Sequence, residues 1–258
     1  TSPARAQPYP VWLERWPAVL FLVIFAWLEL ISAQAEQPRT LATLIVVYSA
    51  LTWAGMAFFG RDKWLRNGEV FAVAFTLLAR FAPSHGRVDQ WLLRPPSVGL
   101  LVQRPVHISG VCFVLLLLTT VTFDGILETP LWADILTWIS ENMALRPILL
   151  FLQNAGLDLI VIIKSMALIV LPTLFVAVFL LTSKIIAMAG GQTIGTFDVA
   201  GYFVLSLVPI AIAYHLSHYL SYLLIAGQNI IPQISDPFGL GWDLFGTASY
   251  TVNIGIVN

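Results

Sequence analysis

Five stretches of this chain are apolar over lengths close to those needed to cross a lipid bilayer, and this feature restricts the fold most. About 20 residues of helix, at 1.5 Å per residue, span the hydrocarbon core. The predicted spans cover residues 17–32, 41–59, 106–122, 157–182 and 199–226. Because lipid offers no partner to backbone N–H and C=O groups, such segments are expected to be helices. The pattern predicts an all-α polytopic integral membrane bundle with about five transmembrane helices.

Composition places the chain in the same class. Of its 258 residues, 58% are hydrophobic and only 10% are charged, whereas a soluble domain has about 25% charged residues. The net charge of −1 gives no electrostatic case for nucleic acid, which requires a concentrated basic face. Cys112 is the only cysteine, so intrachain disulfides and cysteine-rich metal sites are excluded.

Basic residues are concentrated between the second and third predicted spans. Seven of the 13 Lys and Arg residues lie there: Arg61, Lys63, Arg66, Arg80, Arg87, Arg94 and Arg104. Cytoplasmic loops carry such an excess, so this loop is predicted to face the cytoplasm. Alternation of the spans then places the N-terminus in the cytoplasm as well. The surrounding membrane lipid is one predicted partner.

Two further apolar segments are predicted to be interfacial or re-entrant helices. Residues 68–83 are a stretch of only about 15 residues between charged flanks, which is too short for a crossing. Residues 131–152 mix charged and aromatic side chains, which predicts an amphipathic helix on the outer surface, ended by Pro147. Inside the last two spans, Pro172 and Pro209 are predicted to bend the helices.

Two histidines lie deep in the fifth predicted span. His215 and His218 are one helical turn apart, and Tyr222 follows on the same face. Imidazole is costly in hydrocarbon, so its presence there is a functional hypothesis. Histidine is also the commonest ligand of transition metals. The pair is therefore predicted either to bind a metal, with a divalent transition metal as the candidate, or to handle protons; the alternative is that both rings hydrogen-bond neighbouring helices and only fix packing.

Three charged residues lie in or beside the predicted spans. Asp158 is expected near the outer surface, where it complements a helix N-terminus. Lys164 lies deeper and on another helix face, about 240° away, so it needs a partner from another helix. Glu29, in the first span, is a candidate for that partner. A structural pair is favoured over a catalytic one.

The segment after the histidines, residues 228–248, is rich in turn residues. Asp236 and Asp243 lie there and can reach over the outer end of the fifth span. Either carboxylate can add an oxygen ligand or a general base to the histidines. The alternative is that both stabilise turns, since Asp before Pro readily forms Asx turns. For Asp243 the turn interpretation is favoured, while for Asp236, the candidate catalytic residue, both stay open.

Three segments resemble a family of bacterial multi-span membrane proteins known as fenitrothion hydrolases, a name taken from organophosphate hydrolysis. They are GEVFAVAFTLLARFAP at 68–83, Arg94-Pro95-Pro96, and HLSHYLSYLLIAGQNIIPQISDPFGLGWDLFGTA at 215–248. Members of the family are longer, with further C-terminal spans that contain histidines. The resemblance implies a bacterial inner-membrane location and a metal-dependent hydrolase, in which His215, His218 and Asp236 match polar positions of the pattern. It also implies that residues 1–258, a single transmembrane domain, are a fragment of a longer chain.

Three functions stay open on the sequence. The first is a membrane-embedded metal-dependent hydrolase. The second is a transporter or channel in which Glu29, Asp158, Lys164 and the histidines line a polar path. The third is a structural or accessory subunit of a larger complex, whose partners are other membrane subunits.

Overall fold

A computed structural model describes residues 7–87, 90–101, 104–191 and 194–257. The chain divides into two compact units, Thr1–Ile210 and Ala211–Asn258. Helices dominate, and the only sheet in the ranges given is two-stranded. The predicted all-α class is confirmed.

The helices and strands follow one another along the chain with short connections. They are α1 (Trp16–Leu30), α2 (Pro38–Phe59), α3 (Arg61–Asn67), α4 (Val70–Ala79), β1 (Ser84–Arg87), β2 (Gln90–Leu93), α5 (Ile108–Leu127), α6 (Pro130–Glu141), α7 (Arg146–Asn154), α8 (Leu159–Ala189), α9 (Thr196–Phe203), α10 (Val208–Ala226) and α11 (Ile230–Ser235).

Four helical segments in the described part of the chain are long and apolar enough to cross a membrane. They are Pro38–Phe59, Ile108–Leu127, Leu159–Ala189 and Thr196–Leu220. A fifth is added if the bent pair α6–α7 is one broken span. Helix α1 is apolar but has only 15 residues, fewer than a full crossing needs. The chain is therefore a membrane-embedded helical protein with four or five candidate spans.

Helix α5 lies at the centre of the first unit and packs against α1, α8 and α9. A buried cluster joins Phe123 of α5 to Ala26 of α1 and Leu168 of α8. The indole N–H of Trp27 donates to the hydroxyl of Ser165 at 2.8 Å, a hydrogen bond from α1 to α8. Because this polar contact lies beside the apolar cluster, it fixes which faces of the two helices meet.

The segment 131–152 differs from its prediction. It forms two helices, α6 and α7, bent by 91° from one another. Asn142 breaks the helix because its backbone is extended, and its side chain accepts a hydrogen bond from the N–H of Ala144 at 2.9 Å. Pro147 lies in the first turn of α7, where its missing N–H costs nothing. The prediction that Pro147 ends a helix is wrong, because it helps to begin one.

The fifth predicted span changes its type of helix within the helical segment Thr196–Leu220. Helix α9 is followed by a 3₁₀ turn at Val204–Leu207, and α10 begins at Val208. Pro209 lies in the first turn of α10 and so starts a helix instead of bending the middle of one. Pro172, in contrast, lies inside the 31-residue helix α8, and the bend expected there stays a prediction.

The strands Ser84–Arg87 and Gln90–Leu93 pair in an antiparallel sheet that the sequence did not predict. Ser84 pairs with Leu93 and Arg87 with Gln90 in an antiparallel register. The strand sequences SHGR and QWLL lack the alternation of apolar and polar residues that indicates a half-buried strand. All four residues of the second strand are exposed, so no buried face leaves a signature in the sequence.

Candidate functional site

Helix α10 holds His215 and His218, both half-buried. Nδ1 of His215 lies 2.7 Å from the carbonyl oxygen of Ala211, one turn earlier. A carbonyl only accepts hydrogen bonds, so Nδ1 carries the proton in this contact and Nε2 is the acceptor. This is the tautomer in which histidine binds a metal through Nε2 while the other ring nitrogen is fixed by a carbonyl.

The tyrosine that contacts the histidines is Tyr219. Its ring centroid lies 4.9 Å from that of His218, in an edge-to-face arrangement, and 6.3 Å from that of His215. Tyr222, which the sequence placed on the same helix face as the histidines, is 67% exposed. In the described part of the chain it has no ring contact with either histidine. The spacing of four residues from His215 was the signal for Tyr219.

Asp236 stabilises a turn. Its Oδ1 accepts from the N–H of Leu240 at 2.9 Å and its Oδ2 from the N–H of Gly241 at 2.8 Å. Desolvation acts to raise the pKa of Asp236, but these backbone donors together outweigh it and hold the pKa below its usual value. The turn interpretation accounts for both oxygens, and the catalytic role stays a prediction.

Asp243 also stabilises the loop after α11. It accepts from the N–H of Ala248 at 3.0 Å and from the hydroxyl of Ser235 at 2.8 Å. These two donors hold the pKa of Asp243 below its usual value. Ser235 is fully buried, and its Oγ accepts in turn from the N–H of Phe245 at 3.1 Å. The favoured turn role of Asp243 fits this geometry.

The predicted metal site has two of its ligands on one helix. A catalytic zinc site uses three protein ligands and one open position. Within the ranges that the structure describes, no three His, Cys, Asp or Glu side chains are placed to hold a metal ion. Asp236 therefore does not join His215 and His218 in a ligand group. A third ligand would have to come from outside that part of the chain.

The three charged residues of the predicted polar path are not brought together. Asp158 caps the N-terminus of α8, where its carboxylate accepts from the N–H of Ile160 at 2.8 Å, as the sequence predicted. Glu29 lies within electrostatic range of Asp124 on α5. The suggested pair between Glu29 and Lys164 is not formed in the described chain.

Arg94 has a role that the sequence did not indicate. Its Nε donates to the carbonyl of Ala82, and its Nη2 donates to the carbonyls of Ala79 and Arg80, all at 3.1 Å. These carbonyls lie at the C-terminal end of α4, where helical carbonyls lack partners. Arg94 belongs to the basic residues that predict a cytoplasmic loop, and its guanidinium also caps this helix.

Glu69 is a buried carboxylate that sequence reasoning missed. It is 8% exposed and caps the N-terminus of α4, accepting from the N–H groups of Phe71 and Ala72. The hydroxyl of Tyr48, on α2, donates to the same carboxylate. The signal was an acidic residue directly before an apolar helix, and the fixed carboxylate ties α2 to α4.

An apolar cavity of about 460 Å³ lies between α6, α7 and α8. Its 14 lining residues, among them Trp132, Trp138 and Met166, are all apolar. A catalytic pocket needs a few polar groups to orient a substrate. This cavity therefore suits a hydrocarbon group and supplies no acid or base.

Comparison with known protein families, with curated proteins and with solved structures gave no match to this chain. The resemblance to the fenitrothion hydrolases thus rests on its three segments alone. Of these, residues 215–248 hold the histidines and the two turn aspartates.

Proposed function

We propose that this integral membrane protein binds a divalent transition metal through His215 and His218 and uses it to hydrolyse an organophosphate-type ester. The observation that carries the proposal is the hydrogen bond between Nδ1 of His215 and the carbonyl of Ala211. It fixes the ring and leaves Nε2 as a donor of electrons to a metal. His218 lies one turn further on the same helix, so both rings can approach one ion.

Each residue has a separate task in this proposal. A bound metal ion supplies a Lewis acid and lowers the pKa of a water molecule. His215 and His218 hold the ion, and Tyr219 packs against both rings and restricts their orientation. Asp236 is the candidate general base, and the N–H groups of Leu240 and Gly241 keep it ionised. An ionised carboxylate has lone pairs left for a water proton.

The first experiment measures metal binding. The purified protein in detergent is titrated with Zn²⁺, and bound metal is quantified for the wild type, the double variant His215→Ala/His218→Ala and the control His85→Ala, whose histidine lies on β1. We expect the double variant to bind more than about 100-fold more weakly, and His85→Ala to bind like the wild type. Equal binding by all three proteins would refute the metal site.

The second experiment measures hydrolysis of a phosphotriester by the metal-loaded protein. We expect Asp236→Asn to lose activity by about 100-fold or more, as removal of a general base does, while it keeps its metal. Asp134→Asn is the matched control, because Asp134 is exposed on α6. If the wild type binds metal and hydrolyses nothing, the metal site stands and the hydrolase activity fails.

A second candidate is an accessory subunit of a membrane complex. The observation that favours it is polarity on the outside of α10, where Tyr222 is 67% exposed, Tyr214 is 43% exposed and Ser217 is exposed. Polar side chains at bilayer depth normally face other helices. A photo-crosslinking residue at position 222 is therefore expected to capture a discrete protein, and one at Leu181, an exposed apolar position on α8, only lipid. Lipid adducts at both positions would refute this candidate.

A further inference from the structure

One end of the helical bundle collects segments that are far apart in sequence. The backbone N–H of Arg15, before α1, donates to the hydroxyl of Ser109 in the first turn of α5 at 3.1 Å. The N–H of Gln7 donates to the carbonyl of Phe58, at the end of α2, at 2.7 Å. Helices α3 and α4 follow directly from that end of α2. The basic loop that follows α2 therefore lies at the end of the bundle where α1 and α5 begin.

Arg15 is held against α5. A β-carbon at Gly110 would lie 2.9 Å from its Nη1, so the absence of a side chain there admits the guanidinium. Burial lowers the pKa of Arg15, and the charge of Arg80 lowers it further, while Glu14 acts in the opposite direction with a smaller effect. Helices α1 and α4 are in contact, so Arg15, directly before α1, and Arg80, at the end of α4, belong to packed helices, in agreement with the effect of Arg80 on Arg15.

Arg80 is fixed at the end of α4 by Arg94. The guanidinium of Arg94 donates to the carbonyl of Arg80 at 3.1 Å. At Gly99 a β-carbon would overlap with both groups, so this glycine permits the close approach. Arg94 contacts only the backbone carbonyl of Arg80, so the guanidinium of Arg80 takes no part in this hydrogen bond. Arg94 is a positioning residue here.

His107 adds a hydrogen-bond donor beside Arg15. The hydroxyl of Ser109 accepts from the N–H of Arg15 and lies 2.9 Å from Nδ1 of His107. The N–H of Ser109 also donates to this Nδ1 at 3.3 Å. A backbone N–H can only donate, so Nδ1 is the acceptor in this contact, the hydroxyl of Ser109 donates to it, and the ring proton of the neutral imidazole lies on Nε2. His107 is exposed, so this N–H can meet a ligand.

We propose that Arg15, Arg80 and Nε2 of His107 bind the phosphate group of an anionic lipid at this end of the bundle. The three groups are donors, and two of them carry a full positive charge. In the described chain no ion pair joins Arg15, Arg80 or Arg94 to a carboxylate. Arg15 directly precedes α1 and His107 directly precedes α5, which places them at headgroup depth, where lipid phosphates lie.

The experiment uses the purified protein in nanodiscs of phosphatidylcholine with a small fraction of phosphatidylglycerol. Retained phosphatidylglycerol is measured by native mass spectrometry for the wild type, Arg15→Gln, Arg80→Gln and the control Arg61→Gln. Arg61 is exposed at the same end of the bundle. We expect each cluster variant to bind phosphatidylglycerol about fivefold more weakly and the control to bind like the wild type.

Two further measurements make the result decisive. Thermal unfolding in pure phosphatidylcholine checks that Arg15→Gln folds, and Arg80→Gln leaves the backbone contact with Arg94 in place. A separate titration with inorganic phosphate identifies the source of the ligand, since displacement of lipid would assign the site to a soluble phosphate ester. Equal loss of phosphatidylglycerol in all three variants, or no loss in either cluster variant, would overturn the proposal.

Discussion

Replacement of Glu69 by Gln is expected to destabilise the protein strongly, because the carboxylate is buried and fully used. Its two oxygens accept from the N–H groups of Phe71 and Ala72 and from the hydroxyl of Tyr48. An amide keeps one accepting oxygen and turns an N–H₂ group toward donors. Loss of one charge-assisted hydrogen bond costs about 1.5–3 kcal/mol, and loss of the helix cap adds about 1 kcal/mol. We expect the free energy of unfolding to fall by about 3 kcal/mol.

The measurement is reversible unfolding in mixed detergent micelles, followed by circular dichroism. Glu128→Gln is the matched control, because Glu128 is exposed after α5 and should change stability by less than about 0.5 kcal/mol. The double variant Glu69→Gln/Tyr48→Phe should lose about 1 kcal/mol less unfolding free energy than the sum of the two single variants, because both substitutions remove the same hydrogen bond. Strict additivity, or a Glu69 variant as stable as the control, would refute the role assigned to this carboxylate.

Three further predictions concern other contacts. Gly201→Ala should lower the unfolding free energy by about 1–3 kcal/mol, because a β-carbon there collides with the backbone before α5. The control is Gly125→Ala, which has open space for a β-carbon and should be neutral or stabilising in the same assay. Arg94→Lys should destabilise by about 1–2 kcal/mol, because an ammonium cannot form the fork that caps α4, and a lysine variant with wild-type stability would contradict this. Burial and then the charge of Glu14 raise the pKa of Tyr9 to about 12; removing that negative charge in Glu14→Gln should lower the pKa, measured by ultraviolet titration of phenolate, and an unchanged titration would exclude the electrostatic contribution.

The class of fold was predictable because hydrocarbon imposes a simple rule on composition and length. Breaks inside the apolar segments were harder to predict. Residues 131–152 contain one amphipathic pattern, and only the side chain of Asn142, which bonds the backbone two residues on, divides it into α6 and α7. Pro147 and Pro209 carry the same ambiguity, since a proline begins a helix as readily as it ends one. Which outcome occurs depends on the residues packed around it.

The candidate site was only partly predictable for a similar reason. The histidines of α10 are conspicuous because polar side chains are rare in apolar sequence, and Asp158 is conspicuous because it directly precedes a helix. Tyr219 follows His215 by four residues and Tyr222 follows His218 by four residues, so spacing alone does not decide which tyrosine contacts the histidines. Arg15 and Arg80 lie 65 positions apart in the chain, and only the packing of α1, α4 and α5 makes them neighbours.

The length of α8 allows both of its lysines to reach water. The helix has 31 residues, which corresponds to roughly 46 Å and exceeds the hydrocarbon thickness of about 30 Å. Lys164 and Lys184 are separated by about 20 residues, or roughly 30 Å along the axis. With the axis of α8 parallel to the bilayer normal, the two ammonium groups can therefore snorkel to opposite membrane–water interfaces. In that position the two lysines fix the depth of α8 in the bilayer, and Lys164 needs no counter-ion inside the bundle.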